Sequence, residues 1–138
     1  MLFVEAWQFI VAHPDRFFGA LYTHVALSAS ALGLAIAIAL PLGVVVADKR
    51  RAALAAISAA NIGRTLPSLA VLAIAMPILG TGFVPALFAL TLLALPPILI
   101  NTSTALRQVD PDMVDAARGM GMTRAQIMRR VELPVAIR

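Results

Sequence analysis

The chain of 138 residues has no cysteine and a single tryptophan, and only 13% of its side chains are charged. Without cysteine there is no disulfide framework and no thiolate metal site. Its one lysine is Lys49, and no G-x-x-x-x-G-K-[ST] run occurs, so the chain cannot cradle ATP phosphates in a P-loop. His13 and His24 have no metal-ligand neighbours at useful spacing, and Met113, Met120, Met122 and Met128 read as flexible contact residues rather than ligands. No catalytic or cofactor chemistry is visible. Soluble domains carry about a quarter of charged residues, so the scarcity of charge excludes an ordinary water-soluble globule. The start lacks a basic n-region, which argues against a cleaved signal peptide.

What is present is apolar surface: 61% of the residues are hydrophobic. The charges are bunched, with none between Arg16 and Asp48 and none between Arg64 and Arg107. A helix rises about 1.5 Å per residue and a bilayer core is about 30 Å thick, so roughly 20 apolar residues make one crossing. The first gap holds one span and the second holds two. The net charge of +4 would suit nucleic acid, but in a chain this apolar, positive charge marks cytoplasmic loops.

The fold class predicted is an all-α membrane protein with three transmembrane helices and a cytoplasmic helical tail. Residues 1–16 form an external interfacial segment around Trp7, closed by His13-Pro14-Asp15. The spans are predicted at 17–47, 52–79 and 83–106. Pro41 is expected to bend the first, and Gly80-Thr81-Gly82 to separate the second from the third. Lys49, Arg50 and Arg51 put the first loop in the cytoplasm. The tail from Arg107 to Arg138 then lands on the same side with six of the eleven basic residues. The amino terminus is expected outside.

Two polar features interrupt the spans. In Asn61-Ile62-Gly63-Arg64-Thr65-Leu66-Pro67-Ser68, the arginine either faces a partner or water-filled path or snorkels to the headgroups. Pro96-Pro97 and Asn101-Thr102-Ser103-Thr104 either line a pathway or cap, kink and hydrogen-bond helices. Asn61, Arg64, Pro67, Ser68, Asn101 and Thr102 are thus the pathway candidates.

In the tail, over 110–134, the local signals are clear. Asp110 is an N-cap candidate with Pro111 at N1, and Asp112 and Asp115 place negative charge near the first turn. That helix should stop at Gly119-Met120-Gly121. Thr123 and Gln126 have capping-box spacing for a second helix, with Arg129 and Arg130 in its last turn and Leu133-Pro134 ending it. Helix-turn-helix DNA modules share this outline. Only Gln108 and Val109 separate Arg107 from the first cap, a tether too short to approach a duplex, so no nucleic-acid partner is expected.

Asp115-Ala116-Ala117, Gly121 and, after nine intervening residues, Val131-Glu132-Leu133-Pro134 resemble the EAA signature of binding-protein-dependent ABC importer permeases, with Asp for Glu and Val for Ile. Asn61 to Ser68 is similar to the N-x-x-[QR]-T-x-P-S segment of the second core span. Pro77 to Pro85, Asn101-Thr102 and Val109-Asp110-Pro111 resemble the quaternary-amine branch, which imports glycine betaine, carnitine or choline.

The resemblance implies part of a type I permease core in the bacterial inner membrane. It implies partners too: a separate ABC ATPase subunit, a second permease subunit, an external solute-binding protein and the lipid bilayer. The tail becomes a coupling helix seated in a groove of the ATPase, with Asp115, Ala116, Ala117, Gly121, Val131, Leu133 and Pro134 as coupling residues. Asp115 would pair with an arginine of the partner. Two readings stay open beside the osmoprotectant importer: a permease for another small, amino acid-like solute, and a non-transporting anchor for a cytoplasmic partner. In the family two more spans follow the signature, so a fragment, a truncated product or a split subunit is expected, one that does not transport alone.

Overall fold

A computed structural model describes residues 2–47, 49–65 and 68–137, apart from the side chains at 2, 50, 63–65 and 68. The elements are α1 (Leu2–Ala12), α2 (Pro14–Ala47), α3 (Arg50–Thr65), α4 (Ser68–Leu79), α5 (Phe83–Arg107), α6 (Pro111–Gly119), α7 (Arg124–Ile127), a π-helix (Met128–Glu132) and α8 (Leu133–Ala136). Among the described residues there is no strand.

At the predicted break before the first span, only His13 interrupts the helix. The His13 N–H donates to the Phe9 carbonyl at 2.9 Å, the Phe17 N–H donates to the His13 carbonyl, and the Phe9 and His13 rings stack 5.0 Å apart. Pro14 follows without disruption because a first-turn proline lacks only a donor that would have no partner there.

Among the described residues two helices, α2 and α5, are long and apolar enough to cross a membrane. The stretch predicted as the second span carries two shorter helices, α3 of 16 residues and α4 of 12. The sequence has Pro67 just beyond α3, and helices usually end at or before the residue preceding a proline.

The core is built from small residues. Ala31, Ala35, Ala39 and Gly43 recur every fourth position on α2 and are all buried, a stripe that lets two backbones approach closely. On α5 the buried set includes Pro85, Ala89, Pro96 and Ser103. The tightest approach is at Gly43, where a Cβ would lie 2.8 Å from both Cβ and Cγ2 of Thr102. Near the other end of the interface, Ser28, Ala31 and Leu32 share a groove with Leu90, Leu93 and Ala94. Both contacts advance in the same direction along the chain, so α2 and α5 run parallel.

Three hydroxyls in these helices bond backwards along their own helix. Thr23, Thr91 and Ser103 donate to the carbonyls of Gly19, Leu87 and Ile100 at 3.0, 2.7 and 3.1 Å. Each is thereby satisfied within its own helix, as apolar surroundings require. The outer faces carry exposed apolar side chains, among them Phe18, Leu42, Leu69, Ile74 and Ile78. A surface this apolar belongs against lipid or other protein.

Candidate functional site

The turn that follows α5 is fixed by local hydrogen bonds. The Asp110 carboxylate accepts from the Asp112 N–H at 2.9 Å, capping α6 with Pro111 behind it. At the other end the Gly121 N–H donates to the Arg118 carbonyl at 2.9 Å and the Met122 N–H to the Ala117 carbonyl at 3.2 Å. That pair of bonds is a Schellman closure with Gly121 as its left-handed residue, at φ 78°. Nothing lies within 4 Å of where a Gly121 side chain would begin. The glycine is therefore required by backbone angle and not by lack of room.

The capping box is present: the Thr123 hydroxyl accepts from the Gln126 N–H at 3.4 Å and the Gln126 side chain accepts from the Thr123 N–H at 2.8 Å. The predicted stop at Leu133-Pro134 is corrected. The helix passes through both residues to Ala136 by way of a π turn, in which the Leu133 N–H donates to the Met128 carbonyl. Pro134 falls in the first turn of α8, the position at which a helix tolerates proline best.

The coupling candidates divide by exposure. Asp115, Ala116, Gly121 and Pro134 are exposed, Val131 and Leu133 are half-buried, and Ala117 is buried at 1%. Ala117 thus holds α6 down while Ala116 looks outward. Asp115 already has a partner in its own helix, Arg118, whose Nη1 is 2.9 Å from Oδ1 with both side chains largely exposed.

The sequence reading passed over Glu132. It is only 7% exposed, and its Oε2 lies 2.8 Å from Nη1 of Arg124. The contact is an ion pair by distance, and the oxygen accepts no hydrogen bond among the described residues. Both residues line a cleft of about 530 Å³ with Asp115 and Arg118 of α6 and with Ala47 and Arg107, which close α2 and α5. The cleft thus joins the ends of two parallel helices to the tail.

Residues 39–138 match the family of binding-protein-dependent transport system inner membrane components. The chain belongs to that family. It is similar to the choline transport system permease protein OpuBB of Bacillus subtilis (strain 168), at 41% identity over 129 residues covering 94% of this chain and 59% of that protein. It is also similar to the carnitine transport permease protein OpuCB of Listeria monocytogenes, at 41% over 136 residues covering 99% and 56%. A third relative is the osmoprotectant import permease protein OsmW of Salmonella typhimurium (strain LT2), 40% identical over 121 residues covering 84% and 56%. The chain spans little more than half the length of these relatives.

Asn61 on α3 and Asn101 on α5 are exposed, and Thr102 is half-buried against Gly43. Pro67 and the side chains of Arg64 and Ser68 lie outside the described residues.

Proposed function

We propose that this inner membrane component is the transmembrane subunit of an ATP-driven importer of osmoprotectants such as glycine betaine, carnitine or choline. The observation that carries the proposal is the tail: a capped helix, a Schellman glycine and a capping box, at the signature spacing and beside the ends of two span-length helices. The substrate class comes from the names of the relatives. ATP hydrolysis belongs to a separate ABC ATPase, a second permease subunit completes the pathway, and an external binding protein delivers the solute.

The parallel course of α2 and α5 supports three crossings. Two consecutive span-length helices pointing the same way require the chain between them to return across the bilayer, and α3 with α4 is the segment available. Basic Lys49, Arg50 and Arg51 then lie in the cytoplasm with the tail, Gly80-Thr81-Gly82 lies outside, and the amino terminus is outside. In this arrangement 17–47, 52–79 and 83–106 are the spans and 110–134 the coupling region. Asp115, Ala116, Ala117, Gly121, Val131, Leu133 and Pro134 meet the ATPase. Asn61, Arg64, Pro67, Ser68, Asn101 and Thr102 serve the pathway.

Reconstitution with the cognate ATPase and binding protein tests the function. ATP hydrolysis stimulated by loaded binding protein is expected, whereas capture of the ATPase without stimulation would leave only an anchor. Because the chain has no cysteine, Thr81→Cys tests topology directly. A membrane-impermeant maleimide should label it from outside in intact cells, and labelling only after permeabilisation would reverse the orientation.

A further inference from the structure

Glu132 fills the unspecified position of the signature, and the proposed function gives it no task. A carboxylate that is 7% exposed needs a counter-charge, and Arg124 supplies one at 2.8 Å. The two residues are eight apart. On an unbroken α-helix the seventh residue returns to the same face while the eighth is turned away by about 80°. Val131, not Glu132, would then lie over Arg124.

The π turn from Met128 to Glu132 lies between them and adds one residue to the turn, which brings Glu132 onto the face of Arg124. Opposite that face, across the shared cleft, stand Val114, Asp115 and Arg118 of α6. The register of the π turn therefore decides whether a charge or an apolar side chain faces the coupling helix.

We propose that Glu132 is a positioning residue for coupling. Its ion pair with Arg124 holds the π register, and that register seats the helix from Arg124 to Ala136 against α6, so that a displacement of α6 reaches α8 and the chain beyond it. Loss of the pair releases the helix to ordinary α register, with Val131 turned toward Arg124 and everything from Leu133 onward rotated. This role rests on the docking of α6 to an ATPase.

The test uses the complete transporter in proteoliposomes, with three readouts: ATPase capture, maximal stimulation of ATP hydrolysis by loaded binding protein, and the binding-protein concentration giving half that stimulation. Glu132→Gln removes the charge at nearly constant shape. It should leave capture and half-maximal concentration within twofold of the parent and lower maximal stimulation at least fivefold. Glu132→Arg should be at least as defective, and the reversed pair Arg124→Glu with Glu132→Arg should return stimulation to within twofold of the parent. Undiminished stimulation in Glu132→Gln, or a reversed pair no better than Glu132→Arg, overturns the proposal. Should Glu132→Gln fail to accumulate in the membrane, the reversed pair decides alone by the same criterion. A parent transporter that shows no stimulation at all sinks the importer reading itself, and this role with it.

Discussion

The span pair and the tail are held together by opposite means. Where α2 meets α5 the contact depends on side chains that are missing or minimal: Ala31, Ala35, Ala39 and Gly43 on one helix, with hydroxyls turned back onto their own carbonyls. In the tail each bend has a named local device, from the Asp110 cap through the left-handed Gly121 to the Thr123 and Gln126 box and the Arg124 to Glu132 pair. The spans are specified by what must fit across a distance. The tail is specified by what lies a few residues away. Damage should therefore act on assembly in the first region and on coupling in the second.

The largest effect is expected at Gly43. A methyl group there would stand 2.8 Å from Thr102 Cβ, an atom fixed to the α5 backbone, so one helix must move. Overpacking of this kind typically costs about 1–3 kcal/mol, and Gly43→Leu should prevent the pair from forming, with little protein recovered from the membrane. Gly43→Ala combined with Thr102→Gly removes the clash and should recover most of the loss. Thermal unfolding in detergent is the measurement; a Gly43→Ala protein as stable as the parent would show that α2 and α5 do not meet there.

The next effect is at Gly121. Its φ of 78° is unfavourable for side chains, by about 1–2 kcal/mol for an ordinary residue and more for a β-branched one. Gly121→Val should abolish capture of the ATPase while membrane insertion stays intact. Since space around the site is open, Gly121→Asn should be far milder, because asparagine tolerates the left-handed region. Equal loss from both would point to contact with the partner instead of backbone conformation.

Asp115 comes third. Its exposed bond to Arg118 is worth at most about 0.5 kcal/mol, as such i, i+3 pairs usually are. A charge-assisted bond across an ATPase interface would exceed that. Asp115→Asn is expected to weaken ATPase binding by more than tenfold, about 1.4 kcal/mol, while Asp112→Asn and Arg118→Gln change it by less than threefold. If Arg118→Gln and Asp115→Asn prove equal, the carboxylate serves only its own helix.

The same contrast decides what the sequence could convey. Asp110, Pro111, Gly121, Thr123 and Gln126 act on backbone groups within four or five residues, so their spacing alone placed the caps and the turn where the structure has them. The long apolar runs likewise announced α2 and α5. Pro67 is a local cue for the end of α3, but nothing local told that Thr102 would rest on Gly43, because that contact depends on how two distant helices cross. Glu132 was missed for a subtler reason. In α register it does not lie over Arg124, and the π turn that brings it there leaves no motif behind; only the rarity of a lone carboxylate between Val131 and Leu133 hinted at a buried partner.

The smallest effect sharpens the comparison within the tail itself. The capping box is lopsided: the bond accepted by Gln126 is 2.8 Å and the bond accepted by Thr123 is 3.4 Å, beyond the usual range for such a donor. A cap of this type contributes on the order of 1 kcal/mol when both bonds are good. Gln126→Ala should therefore cost more than Thr123→Ala, with each below about 1 kcal/mol, and Thr123→Ser should be neutral. Amide hydrogen exchange at Thr123 and Gln126, in the protein held in lipid discs, reads the two bonds separately. Faster exchange at Thr123 in Gln126→Ala, with Gln126 little changed in Thr123→Ala, is the expected pattern. The reverse pattern would mean that the hydroxyl carries the cap, and that the turn after Gly121 is fixed from its first residue rather than from the helix that follows.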